Sequence, residues 1–379
     1  MRGNKLFKFI DKYAGVAGLF LLAKIFRKKM SQPMVKYQWD KILIIKLSAM
    51  GDTILMVPAL RALRQAYPKA VIKIIVTSIN REILADCPYV DELIYLDLEN
   101  ILKNPLRLHR FIRKLRKEKF DLALDFDQWL RLSPLLAFFS GAEQRVGFRT
   151  AGQHRDFTYT RKVDHARDKH EVECFLDLVS VLGIEPQDKK LELWVKRSAV
   201  ISINKHLAEL GVMKDDILIG LHPGCGNHGQ PRQWPADKYI ALIKELQQQK
   251  KIKIVLTGGN GEKELVEYIA AAVPDLAPVL VIGWPLADLI ALIRKYRALV
   301  CGNTGVMHIA AALQIPVVAL HGPTDPRKWG PWTDQAAVIT AKKPCVPCLY
   351  LGHEYGCHAP SCMDTIPVDE VYSAVLKYL

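Results

Sequence analysis

The sequence has no apolar run long enough to cross a membrane. The stretch "YAGVAGLFLLA" (13–23) falls short of the ~20 residues that a spanning helix needs. It also lacks the small-residue cleavage site of a secretory signal, and "KIFRKK" follows it instead. Cysteine is sparse, with eight in 379 residues. That excludes a disulfide-stapled secreted scaffold and makes a reducing cytoplasm the expected compartment. Negative charge is in short supply as well: 39 Asp and Glu stand against 53 Lys and Arg, a formal net charge of +14. Such a balance calls for an anionic partner, whether nucleic acid, a phosphate-bearing ligand or an acidic membrane surface. No nucleic-acid motif accompanies the charge, so nucleic acid is not expected.

What is present at the N-terminus is amphipathic. On a helical wheel Lys5, Lys8 and Lys12 share one side, Leu6, Ile10, Tyr13 and Ala17 lie opposite, and Arg27, Lys28 and Lys29 follow. This pattern suits a helix lying in a membrane interface against anionic lipid. A helix that merely packs on the protein body is the alternative. Residues 1–34 are expected to form the membrane-associating segment.

From Lys41 onward short β-branched runs alternate with amphipathic stretches. "KILIIKL", "AVIKIIVT", "DELIYLD" and "DLALDF" read as strands; "TILMVPALRALRQAYP", "REILADCP" and the basic "PLRLHRFIRKLRKEKF" read as helices. Nearly all-apolar strands in βαβα order predict a parallel sheet covered on both faces. The chain then turns polar and irregular through "GFRTAGQHRDFTYTRKVDHARDKH" before the helix "EVECFLDLVSVLG". A second α/β series opens at "ILIGLHPG" and runs to "PVVALHG", and a last helix, "PVDEVYSAVLKYL", could pack on either half. The expected fold class is α/β: two Rossmann-like domains, residues 35–190 and 191–366, facing a central cleft, with residues 367–379 as a terminal helix. Ligands of such sheets bind beyond the carboxyl ends of the strands.

Three motifs carry chemistry. "GCGNHG" (224–229) matches a dinucleotide fingerprint as a string, but Pro231 and Pro235 keep it a loop until about Ala236, and no acid follows the next strand "LTGG". A dehydrogenase is therefore disfavoured, while the glycines and Arg232 still suit a phosphate. In "CGNTGVMHIAAAL" a strand feeds a small-residue turn that opens a helix. Asn303 or Thr304 is expected to cap it, and its first amides offer an anion site. In "KLSAMGDTILM" Asp52 falls at a helix start, either as a simple cap or as a working carboxylate.

"KILIIKLSAMGDTILMVPALRALRQAYPKAVIKIIV", "LIGLHPG" with "RQWP", "LTGGNGEKEL" and "GNTGVMHIAAAL" with "GPTDP" and "WGPW" together resemble glycosyltransferase family 9, whose best-known members are ADP-heptose:lipopolysaccharide heptosyltransferases. The resemblance spans residues 40–375. It implies a GT-B fold, inversion at the anomeric carbon and no metal or other cofactor for the transfer itself. By position, Asp52 matches the general base, Arg232 a residue that neutralises the donor pyrophosphate, and Glu262 an acid that binds the adenosine ribose. Thr304, Gly305 and His308 match the phosphate-side helix start. Asn303 departs from the Asp that contacts the donor sugar in several members, and an amide offers hydrogen bonds without charge.

The C-terminal Cys345, Cys348, Cys357 and Cys362, spaced C-x2-C-x8-C-x4-C, suit a structural metal such as Zn in tetrahedral coordination, with His353 and His358 as substitutes. The resemblance to autotransporter heptosyltransferases implies Fe as the other candidate. The alternative is a set of buried or redox-labile thiols. Arg107, Arg110, Arg113 and Lys114 of the basic helix are expected to face anionic lipid or a phosphorylated acceptor. The resulting expectation is transfer of heptose from ADP-heptose to a lipopolysaccharide core acceptor, by a protein held peripherally at the cytoplasmic face of the inner membrane. Two alternatives stay open: a protein-directed heptosyltransferase, and a non-catalytic nucleotide-sugar-binding scaffold.

Overall fold

The apolar runs are strands buried on both faces: Ile42 to Ile45 of the first strand and all four residues of "LALD" are inaccessible to solvent. In the computed structural model, which describes residues 9–25, 38–226, 229–249, 251–350, 357 and 360–379, they assemble into two parallel six-stranded sheets. The chain divides into two compact units, Met1–Lys189 and Lys190–Leu379.

In the first unit a π-helical turn, Asp11–Gly15, leads into α1 (Val16–Ile25). Then come β1 (Lys41–Ile45), α2 (Met50–Leu55), α3 (Val57–Ala66), β2 (Val71–Val76), β3 (Glu92–Tyr95), α4 (Leu98–Lys103) and α5 (Pro105–Lys117). The unit closes with β4 (Leu122–Asp125), α6 (Leu132–Phe139), β5 (Gln144–Arg149), β6 (Arg161–Asp164) and α7 (Glu171–Ser180). Its sheet order is β3-β2-β1-β4-β5-β6.

The second unit runs α8 (Arg197–Glu209), β7 (Ile217–His222), α9 (Ala236–Leu246), β8 (Ile252–Gly258), α10 (Lys263–Ala271), β9 (Val279–Ile282) and α11 (Leu286–Ile293). It continues with β10 (Ala298–Gly302), α12 (Gly305–Ala312), β11 (Val317–His321), α13 (Pro326–Trp329), β12 (Ala336–Thr340) and α14 (Val368–Leu376). The order β12-β11-β10-β7-β8-β9 is the same doubly wound pattern read from the other edge. The terminal helix α14 packs on α9, β11 and β12, so it belongs to the second unit.

Two expectations fail locally. "REILADCP" is a run of turns rather than a helix. The Asn80 carboxamide before it is committed to the Thr77 amide and the Lys46 carbonyl, and Pro88 closes the segment. The polar stretch after β4 holds two real strands, β5 and β6. In β5 the polar Gln144 and Arg145 are buried, with Arg145 donating to the carbonyls of Ala142 and Thr158, and Gly147 lets the Tyr159 ring lie against the strand. At the sheet edge β6 keeps Arg161, Lys162 and Asp164 exposed.

Below the end of β4, Arg155 and Asp125, both fully buried, pair at 2.7 Å, and the Tyr159 hydroxyl also donates to Asp125. Removing one member of such a pair strands the other charge. Asp125→Ala is expected to lower stability by about 3–5 kcal/mol, read from urea unfolding. A loss below about 1 kcal/mol, the range of an exposed pair, would show that the two charges are not coupled.

Candidate functional site

Each sheet reverses its strand order beside its first strand, between β1 and β4 and between β7 and β10. The loops leaving the carboxyl ends of those four strands carry the polar residues that the sequence brought forward.

In the first unit the chain leaves β1 through Lys46, Leu47, Ser48 and Ala49. Ala49 sits at φ 64° and ψ 119°, a backbone that costs an L residue about 1–3 kcal/mol. Neighbours over-determine this turn. Asp127 accepts from the Leu47 amide at 2.8 Å and the Ser48 hydroxyl at 2.9 Å, while Asn80 donates to the Lys46 carbonyl at 2.8 Å. Helix α2 begins at Met50 with Ala49 in the cap position, so Asp52 is not the cap. Its carboxylate turns instead to Lys46 Nζ at 3.4 Å and Gln128 Nε2 at 3.4 Å, both on Oδ2.

Lys46 Nζ is wholly buried. It donates to Gln128 Oε1 at 3.0 Å and the Phe126 carbonyl at 3.2 Å, lies 3.7 Å from Asp127, and sits over the Phe175 ring. Gln128 continues to Glu171 at 2.7 Å, and Glu171 to His165 Nε2 at 3.0 Å. A carboxylate held by two donors on one oxygen keeps a fixed direction, and with 6% of Asp52 exposed it remains reachable from solvent. Lys46, Asp127, Gln128 and Glu171 were not singled out from the sequence. Their signal was a lysine closing an otherwise apolar strand and the "DFDQ" cluster at the end of another.

In the second unit Arg232 joins two loops. Its Nη1 donates to the Asn303 carbonyl at 2.9 Å and its Nη2 to the Cys225 carbonyl at 3.3 Å, while Nε is buried without a partner among the described residues. Neither Asn303 nor Thr304 caps α12 with its side chain, contrary to expectation. The Asn303 amide donates to the Trp329 carbonyl at 2.8 Å, and Thr304 Oγ1 is buried and unpaired among the described residues. The first amides of α12, from Gly305 on, therefore have no side-chain cap, the arrangement that suits an anion. His308 lies one turn further in and is buried.

Glu262 closes the other side of the β7 loop. Its two oxygens accept from the Gly226 amide at 2.8 Å and the Gly259 amide at 2.7 Å. A Cβ on Gly224 would fall 2.0 Å from that carboxyl, so the loop needs glycine there for close approach. His222 Nδ1 pairs with Thr257 Oγ1 at 2.9 Å; burial pushes its pKa down, against the opposing charge of Glu262. His321, also missed in the sequence, ends β11 fully buried. It pairs through Nδ1 with Thr324 Oγ1 at 3.1 Å, its Nε2 is unpaired among the described residues, and burial lowers its pKa to about 4. Burial also pushes the Cys225 thiol up to about 12, which makes it inert as a nucleophile.

Arg107, Arg110, Arg113 and Lys114 all lie exposed on α5. The four C-terminal cysteines do not bring three thiols close enough to share a metal. Cys345 and Cys357 are exposed, Cys348 is half-buried, and Cys362 turns into the core of the second unit beside Met363 and Gly322. Burial, then the nearby Cys348 and Cys345, raise the Cys362 pKa. Among the described residues the group with ligand atoms close enough to share a metal is instead His165, Glu171 and Cys174, within 4.8 Å of one another. Its Glu171 already accepts from Gln128 and pairs with His165. The substitutes His353 and His358 lie outside the described residues, as do Lys5, Leu6, Lys8, Arg27, Lys28 and Lys29.

Residues 108–358 match the family model described as glycosyltransferase family 9 (heptosyltransferase). Lipopolysaccharide heptosyltransferase 2 of Salmonella typhimurium is 29% identical over 308 residues, 79% of this chain and 87% of that protein. The structure of E. coli ADP-heptose lipopolysaccharide heptosyltransferase II superposes with a TM-score of 0.69 at 25% identity, covering 89% of this chain and 99% of that one. The crystal structure of a family 9 glycosyl transferase from Veillonella parvula gives a TM-score of 0.78 at 22% identity, over 91% and 98%.

The shift of His321 has a consequence for stability. With a folded pKa near 4 against an ordinary value of 6.5, the neutral imidazole is the native form. Its contribution is complete above pH ~6.5 and is lost as pH falls toward 4. Between pH 7 and 4.5, His321→Phe is expected to lose about 2 kcal/mol less stability than the wild type in urea unfolding. Equal losses would place the acid-sensitive group elsewhere.

Proposed function

The chain belongs to glycosyltransferase family 9, and from that premise we propose that it transfers heptose from ADP-heptose to a lipopolysaccharide core acceptor, with inversion at the anomeric carbon. Its fold is GT-B, two Rossmann-like sheets of one strand order, and its class is transferase. The relatives that it resembles carry the names of lipopolysaccharide heptosyltransferases, which supports the donor and the acceptor class.

The chemistry divides between the units. In the first, Asp52 takes the proton of the acceptor hydroxyl as that oxygen attacks the anomeric carbon. Lys46 and Gln128 aim the carboxylate. In the second, the bond from the anomeric carbon to the diphosphate oxygen breaks and the electron pair leaves with ADP. Arg232, Thr304 Oγ1 and the α12 amides from Gly305 take the departing charge. His308 backs that helix start, Asn303 hydrogen-bonds the sugar, and Glu262 accepts from the ribose hydroxyls. These fixed protein groups, rather than a metal, carry the charge. Transfer takes place at the cytoplasmic face of the inner membrane, where the lipid-linked acceptor is available.

The observation that carries this reading is the Asp52 carboxylate, turned away from capping duty and held by two donors at the carboxyl edge of its sheet. The test is ADP release from ADP-heptose with a truncated lipopolysaccharide core, wild type against Asp52→Asn. Release is expected to fall by about 10²–10⁴-fold in the variant, with ADP-heptose binding retained. Equal release would remove Asp52 as the base. No release by the wild type with any core acceptor would sink the heptosyl reading itself.

A further inference from the structure

The N-terminal helix is bolted to the first unit on one side and mostly exposed on the other, where the Phe20 ring meets Phe157 edge-on. Asp11 is buried, and its Oδ1 accepts from the backbone amides of Arg131 at 2.9 Å and Leu132 at 3.0 Å, while its Oδ2 lies 3.5 Å from Arg131 Nη1. Arg131 holds the cap position of α6 and makes no side-chain cap of its own, so a carboxylate from the N-terminal helix supplies it. Gly15 lets the two backbones meet, because a Cβ there would stand 2.6 Å from Arg131 Cβ. Leu19 continues the inner face, fully buried.

The outer face does the opposite. Phe9, Tyr13, Phe20, Leu21 and Ile25 are each more than half exposed on this one helix. Ordinary surfaces scatter such residues singly; a contiguous set marks an interaction site. The basic helix α5 packs on α6 too, as the N-terminal helix does. Its exposed Arg107, Arg110, Arg113 and Lys114 surround Leu106, itself well exposed.

We infer that the outer face of the 9–25 helix, together with the basic face of α5, docks on an anionic phospholipid bilayer: aromatic and aliphatic side chains enter the headgroup–acyl boundary while the α5 cations take lipid phosphates. Charge complementarity selects this occupant. Apolar burial alone would suit a second copy equally well, but the +14 net charge opposes self-association, whereas an anionic bilayer satisfies both the apolar face and the cations. No helix among the described residues is long and apolar enough to cross a membrane, and the mode proposed is interfacial. The wheel read from the sequence placed Lys12 opposite an apolar side; in the structure Asp11, Gly15 and Leu19 define the inner face, and the large apolar residues point outward. This surface does not rest on the catalytic reading, and its test uses no turnover.

The full-length protein is co-sedimented with phosphatidylcholine vesicles and with vesicles containing phosphatidylglycerol. Wild type is expected to bind the anionic vesicles and to be released by high salt. Phe20→Glu with Leu21→Glu, and separately Arg107→Glu with Arg110→Glu, are each expected to lower partitioning about tenfold. The two pairs lie on different helices, so a folding defect in one leaves the other decisive. Wild type that ignores anionic vesicles, or pairs of substitutions that bind as wild type does, would overturn the proposal. So would a wild-type dimer, seen by sedimentation, that the Phe20/Leu21 pair dissociates, since that would make the face homotypic.

Discussion

A single buried ammonium organises the first unit. Lys46 leaves water entirely, and an uncompensated charge there would cost several kcal/mol. Compensation comes from Asp52 on α2, from Asp127, Gln128 and the Phe126 carbonyl beyond β4, and from the Phe175 ring on α7. Three segments, two of them distant in sequence, are thereby tied to the end of one strand. The direction of Asp52 follows from this: its carboxylate points where Lys46 and Gln128 pull it, away from the free amides of its own helix. The Ala49 backbone, costly by itself, persists because Asp127 and Asn80 hold the residues around it in place.

The second unit has the same strand order and the reverse electrostatics. Its cation, Arg232, is held by two neutral carbonyls, and among the described residues no carboxylate lies within ion-pair distance of it. Carbonyls orient a guanidinium without cancelling its charge, so the positive field survives beside the uncapped start of α12 and the unpaired Thr304 hydroxyl. Lys46 is the contrary case, its charge absorbed by carboxylates. One scaffold used twice thus yields an oriented carboxylate in one unit and an uncancelled cation in the other.

The regular parts of this arrangement were legible because their signal is local. Apolar β-branched runs such as "KILII" and "DLALDF" declare buried parallel strands, and glycine-rich junctions declare the helix starts that follow. Strands β5 and β6 were not legible, since Arg145 is buried by donating to carbonyls while β6 at the sheet edge keeps its polar residues exposed, and neither arrangement leaves a mark in a hydropathy pattern. The same limit applied at the site. Asp52 was visible through its place after a small-residue turn. Lys46, Gln128 and Glu171 were not, because what makes them matter is mutual contact across 82 and 43 residues of chain. The cysteine spacing shows the converse: an order of residues that suits a metal on paper, while in space Cys362 turns into the apolar core with Cys348 and Cys345 near it but, among the described residues, no three thiols within 4.8 Å of one another.

Asp11 applies the logic of Lys46 at the periphery. Burial raises its pKa, while the amides of Leu132 and Arg131 and the Arg131 charge oppose that shift. A buried carboxylate with specific partners tolerates little rotation, so it fixes the N-terminal helix about its axis. Apolar side chains could have covered the inner face without choosing which side turns outward; the polar key makes that choice, because any rotation strands the carboxylate away from its donors. The outer apolar row is therefore held outward by a polar interaction beneath it. A tether would bring such a helix near a surface, whereas a keyed helix presents one face of it.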